Sequence, residues 1–248
     1  MISSEKSRNT AMTLIEMLVV VAIIAVLAGL LFPGLKAAMA SRDETVALSN
    51  MRQIGAAFIG YANDNSYCLP GRVTSNKWPS LLARYLSDVR VYASSFDTQN
   101  WILRGMTPAQ AISDTANNTS FIMNGYNDLG TYGSDSSQTV QIGLNAFPQT
   151  SDIILLGTPH TPPMYPTHSA QFYMDFEEAP GGNENDDLNL AAYNGGSNYL
   201  FADGSARFIT QAAYQAPLPT ATNANETYGN SLWCVDKSYV IPVLGGGH

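Results

Sequence analysis

Polar and apolar positions divide this chain into unlike parts. A polar segment of residues 1–11 leads into Met12-Thr13-Leu14-Ile15-Glu16, and an uncharged run of 19 residues follows, from Met17 to Leu35. At ~1.5 Å of rise per residue, such a run nearly crosses a hydrocarbon core of ~30 Å. Beyond it, Leu48, Met51, Ile54, Phe58 and Tyr61 recur at steps of three and four, forming one apolar stripe. Arg42, Asp43, Glu44, Arg52 and Asn63 occupy the other faces. The pattern predicts one long helix over residues 12–62, membrane-spanning to about Leu35 and amphipathic afterwards. Pro33 withdraws one backbone hydrogen bond, which predicts a bend or local melting there. Asn63-Asp64-Asn65-Ser66 predicts the helix end.

The remaining residues, 63–248, read as one head. Trp78-Pro79 with Leu81, Leu82, Tyr85 and Leu86 predicts a short second helix, with the proline tolerated in the first turn. Thr107-Pro108 opens a further helical turn to about Ile112. Short strands are predicted at Ser120–Met123, Val140–Gly143, Ile153–Leu156 and Gln171–Met174. The clearest hairpin runs from Asn198 to Ile209, where Asp203-Gly204 favours the positive φ angles of a tight turn. Ser238–Val243 suggests a last strand. The fold class is therefore α+β: a long N-terminal helix packed on a small antiparallel sheet.

Glu16 is the informative charge. A carboxylate at the head of an apolar helix is costly in hydrocarbon and marks a functional position with a partner to be found. A free α-amino group on a neighbouring subunit would suit it, because pairing cancels two charges at once. Two other readings fit the same run. One is an ordinary anchor with Glu16 among the headgroups; the other is a secretory signal cut after Ala38-Met39-Ala40.

The order of a short polar leader, a small residue, Thr13-Leu14-Ile15-Glu16 and an apolar helix resembles the signal of type IV prepilins and type II secretion pseudopilins. Ala11 stands where that signal usually has Gly, and Met12 where Phe is common. The resemblance implies a pilin-like fold and cleavage between Ala11 and Met12 by a prepilin peptidase that also N-methylates Met12. It implies that Glu16 pairs with an N-terminal amine during filament assembly. Pro33, 17 residues after Glu16, sits where many pilins carry a kinking proline. Other implied partners are further pilin-like subunits and an inner-membrane assembly platform. A second resemblance lies in Asn194 to Ser205. It is similar to the prepilin-type signature of a His, nine residues and Asp-Gly, with Tyr193 in the His position and a structural role expected. Leu48 to Gly55 and Trp78 to Leu82 resemble the helix exit and following helix of the same group.

Charge refines this picture. Loss of residues 1–11 takes Lys6, Arg8 and Glu5, lowering basic residues from 12 to 10 and acidic ones from 20 to 19, so the net charge moves from −8 to −9. So acidic a chain is a poor candidate for binding nucleic-acid phosphates. Lys6 and Arg8 before the helix are balanced by Lys36 and Arg42 after it, so charge counting leaves orientation open. The resembled leader implies a cytoplasmic N-terminus, a single pass through the inner membrane and an exported head, later part of a periplasmic or extracellular filament. Cys68 and Cys234 would then meet an oxidising space, either as a disulfide or as two separate thiols.

For chemistry, the acidic loop offers Asp175, Glu177, Glu178, Glu184, Asp186 and Asp187. Calcium takes roughly six to eight oxygens, and some similar pseudopilins hold it in a C-terminal loop. The EF-hand pattern is missing, since Leu188 stands where a turn glycine belongs, and a solvated loop is the alternative. His160, His168 and His248 form no metal motif, and neither a nucleophile–base pair nor a phosphate loop is present. Trp101 and the many tyrosines suit a core or a sugar site. Three functions compete: a structural filament subunit, a minor or tip module binding a glycan, surface or secreted cargo, and a tethered hydrolase. The chain offers least for the third.

Overall fold

The computed structural model describes residues 14–71, 78–94, 119–125, 142–159, 173–174, 188–221, 227–234 and 237. Its contacts separate two units, Met1–Ala40 and Ser41–His248. Helix α1, Leu14–Asp64, belongs to both and runs without a break through Pro33. The local melting expected there is therefore absent. A proline removes only one rung of the hydrogen-bond ladder, and the uninterrupted turns on either side hold the helix.

In the second unit the predicted stripe is the buried face. Ala47, Met51, Ile54, Ala57, Phe58, Tyr61 and Ala62 are buried, with Leu48 partly so. The helix closes as its composition suggests. Asn65 Nδ2 donates to Tyr61 O at 2.8 Å, and Tyr67 N donates to Ala62 O at 2.7 Å. Ser66 and Tyr67 take left-handed φ values of 56° and 60°, each costing about 1 kcal/mol for a residue with a side chain.

Helix α2, Trp78–Leu82, continues as a 3-10 turn over Ala83–Tyr85, matching the predicted second helix. Strand β1 is Ile122–Asn124, β2 Ile154–Gly157, β3 Tyr173–Met174, β4 Gly196–Phe201 and β5 Ala206–Thr210. They form one sheet in the order β3-β1-β2-β4-β5. Four strands are antiparallel neighbours as expected. The fifth, β3, lies parallel to β1, a pairing that the alternation of apolar residues could not specify. Of the predicted strand Val140–Gly143, the described part makes only a bridge from Gly143 to Cys68. The predicted elements at Thr107–Ile112 and Ser238–Val243 lie outside the described residues.

Strands β1, β2 and β4 are buried on both faces, which is why β1 and β2 read as apolar runs. Met123, Leu155, Leu156, Leu200 and Ala202 join the stripe of α1 in one cluster. Ile122, Ile154, Tyr199 and Phe201 join Leu188, Leu190, Tyr214 and Trp233 in another. Successive residues alternate between the clusters as strand geometry demands, except at Leu155 and Leu156. There the partners of Ile154 and Leu156 are the adjacent Phe201 and Leu200, so β2 carries one extra residue, a bulge. In the second cluster Trp233 Nε1 donates to Tyr214 OH at 2.9 Å, and Tyr214 stacks on Tyr199.

The Asp203-Gly204 hairpin differs in detail from a two-residue turn. Gly204 N donates to Phe201 O at 2.9 Å and Phe201 N to Ser205 O at 2.8 Å, so the loop is Ala202-Asp203-Gly204. Only Gly204 is left-handed, at φ +81°, while the Asp203 side chain accepts from Ser205 N. This turn lies against α1 at Gly55, where a Cβ would come within 2.7 Å of Gly204 O and of Leu200 Cδ1. At Gly60 a Cβ would meet only the Tyr85 ring, at 3.0 Å.

The contrast gives a prediction. Alanine for glycine in a helix gains about 1 kcal/mol of propensity. Gly60→Ala should therefore be neutral or stabilising in urea unfolding of the full chain in detergent. Gly55→Ala should lose at least about 1 kcal/mol, because overpacking against backbone costs ~1–3 kcal/mol. Equal midpoints for the two variants would mean that the Gly55 contact does not set the packing.

Candidate assembly segment

The first unit's described part is the helix over residues 14–40, and its apolar side chains are exposed. Leu14 is 81 % exposed, Leu30 75 % and Phe32 62 %. This is the one described helix long and apolar enough to cross a membrane. Charges bound it at both ends. Glu16 lies in the first turn, where the helix dipole favours an anion. Lys36 follows the run, with its ammonium 5.2 Å from the centre of the Phe32 ring. The expected cleavage pair, Ala11 and Met12, lies outside the described residues. The structure thus places Glu16 and Pro33 on one continuous helix.

In the second unit, polar side chains fasten α1 to the head beside its apolar stripe. Asn198 Nδ2 of β4 donates to Glu44 O at 2.9 Å, and Asn50 Nδ2 donates to Ala93 O at 3.3 Å. Ser94 N donates to Ser120 Oγ at 3.0 Å, and Ser94 Oγ lies 3.1 Å from Tyr193 OH. Tyr193 is buried. Burial pushes its phenol up to about 12; the Ser94 hydrogen bond opposes this, and the nearby Asp43 and Glu44 add to it. Residues of the segments Leu48–Gly55, Trp78–Leu82 and Asn194–Ser205 share one buried cluster. Gly55 meets Gly204, and the Trp78 ring stacks on Phe58 with centres 5.8 Å apart. The sequence singled these segments out, but the Asn198–Glu44 and Ser94–Tyr193 bonds carried no signal in it, since each joins residues remote in the chain.

Cys68 and Cys234, for which the sequence left a disulfide and two separate thiols open, are both thiols. Cys68 follows the end of α1, half-buried and bridged to Gly143. Cys234 is buried in the cluster on the other face of the sheet, its thiol donating to Asn230 O. Their different surroundings were not readable from the count of cysteines. The six acidic residues Asp175, Glu177, Glu178, Glu184, Asp186 and Asp187 lie outside the described residues, as do Trp101, His160, His168 and His248. Among the described residues no cluster of His, Cys, Asp or Glu could hold a metal.

Residues 6–32 match the model of the prokaryotic N-terminal methylation motif. No curated protein and no solved structure matches the chain. The chain thus carries a signal consistent with a type IV prepilin or pseudopilin, on an α+β architecture of pilin-like arrangement. The motif and the apolar helix together fit a single-pass, membrane-anchored protein, and the motif implies processing by a prepilin peptidase.

Two measurements follow. Under native conditions a maleimide should label Cys68 and reach Cys234 only after unfolding; mass mapping of labelled peptides checks this, and an unlabelled, cross-linked pair would restore the disulfide. Tyr193 binds its proton more tightly folded than unfolded. Its contribution to stability is complete below the ordinary tyrosine value of 10.0 and falls as pH rises toward about 12. Tyr193→Phe should cost about 0.5–1.5 kcal/mol at neutral pH and lessen that alkaline loss in denaturation curves.

Proposed function

We propose that this protein is a structural subunit of a type IV pilus-like or type II secretion pseudopilus filament. The observation that carries the reading is a coincidence of position. The methylation motif at residues 6–32 runs into a helix whose apolar side chains are exposed. In this reading the leader of residues 1–11 is cytoplasmic and is removed between Ala11 and Met12. The subunit then waits in the inner membrane with its head exported. Helices of many copies, or of related subunits, bundle into the filament core on an assembly platform. Glu16 pairs with the new amine of a neighbouring Met12. A subunit at the wrong axial height leaves both charges unpaired, at several kcal/mol in hydrocarbon, so the pair sets the register.

Intact mass and N-terminal mapping after co-expression with a prepilin peptidase test the first step. A chain beginning at methylated Met12 is expected; a chain still beginning at Met1, or one beginning at Ser41, overturns the reading. Glu16→Ala should insert and be cleaved normally but lose incorporation by tenfold or more, since an unpaired amine costs at least about 1.4 kcal/mol. Wild-type incorporation of that variant sinks the pairing while leaving the processing intact.

A further inference from the structure

The sequence holds two Asn-Gly pairs, Asn124-Gly125 and Asn194-Gly195, and the fold gives them opposite surroundings. Asn124 is buried in β1. Its carboxamide donates to Ile154 O at 2.8 Å and to Trp233 O at 2.7 Å. Asn194 and Gly195 are exposed at the tip of the turn that leads into β4. Tyr193 and Gly196 exchange two backbone hydrogen bonds of 3.0 Å across this tip. Gln211 N donates to Gly195 O at 2.8 Å and ties the turn down on its carbonyl side. Among the described residues no hydrogen bond engages the Gly195 N–H or the Asn194 carboxamide. Gly195 sits at φ +78°, and nothing lies within 4 Å of where a Cβ would be. The nitrogen that follows Asn194 is thus bare of side chain, open to water and next to an untethered carboxamide.

We propose that Asn194 is a site of self-modification by deamidation, with water as the co-reactant. The Gly195 backbone nitrogen attacks Cγ of Asn194. An N–Cγ bond forms, the Cγ–NH2 bond breaks, and the Gly195 amide proton leaves with the departing ammonia. The product is a five-membered succinimide. Water opens it at either carbonyl. Breaking the new N–Cγ bond gives aspartate; breaking the original peptide bond gives isoaspartate, with the main chain rerouted through the former side chain. Either product adds a negative charge near Tyr193, which already feels Asp43 and Glu44. Isoaspartate also lengthens the backbone between Tyr193 and Gly196, whose paired hydrogen bonds need a fixed separation. The site is thereby coupled to the contact of Tyr193 with Ser94.

The test uses the full chain in detergent micelles, incubated at mildly alkaline pH, which promotes loss of the attacking amide proton. Peptide mapping by mass spectrometry follows both Asn-Gly pairs. The Asn194 peptide should acquire the amide-to-acid mass increment and split into aspartate and isoaspartate forms. It should do so about tenfold or more faster than the Asn124 peptide, whose carboxamide must first break two hydrogen bonds. In denaturant the two rates should converge. Asn194→Gln should abolish the modification at that turn and leave the Asn124 rate unchanged. Equal rates in the folded protein overturn the proposal. So does an Asn194 that keeps its amide as long as Asn124 does, when denatured chains convert both.

Discussion

The close approach of a helix to a turn sets the geometry of the head. Gly55 offers no side chain and Gly204 bends in a conformation other residues resist, so α1 can settle directly on the tip of the β4–β5 hairpin. That contact places the stripe from Ala47 to Tyr61 over Met123, Leu155 and Leu200. The cluster excludes water, and the polar ties from Asn198 to Glu44 and from Asn50 to Ala93 then fix how far along the helix the head is held. Dispersion and burial supply the attraction, while the backbone bonds supply the register.

The same helix presents opposite demands in its two halves. From residue 41 onward its apolar positions are rationed to one face, because the other faces meet water. Before that they surround it, because nothing polar is meant to touch it. Exposed leucines and valines along more than four turns are incompatible with a solitary life in water, where apolar patches of that extent drive association. Lipid, or neighbouring helices of the same kind, resolves the mismatch. The methylation motif lies across this half and not on the folded head, so the segment that enters a membrane is also the one marked for processing.

Much of this was legible in the residues. The stripe from Leu48 to Tyr61 was readable because helix periodicity is local, and the Trp78-Pro79 helix because proline's place in a first turn is local too. The strands that formed were found within a residue or two, since apolar runs between turn residues need only short-range information, while Val140–Gly143 was read as a strand where the described part makes a bridge. What escaped was long-range. The parallel partner of β1 and the extra residue in β2 depend on which distant segments meet. At Pro33 a local rule pointed to a bend or to melting, and the turns around it kept the helix from melting. The cost of a carboxylate at the head of an apolar helix singled out Glu16, while the assembly role expected of it came only from motif resemblance.

The bulge at Leu155 bears on how the head answers a pull. A regular antiparallel pair can creep along its partner in two-residue steps, each restoring the same faces. With one residue more on β2 than on β4, a creep of that kind carries the bulge into new neighbours, and Leu155 and Leu156 cannot both find the helix side again. Sliding between the two central strands is thereby discouraged at every step short of full separation. A head built this way keeps β2 and β4 in one register until the two strands part.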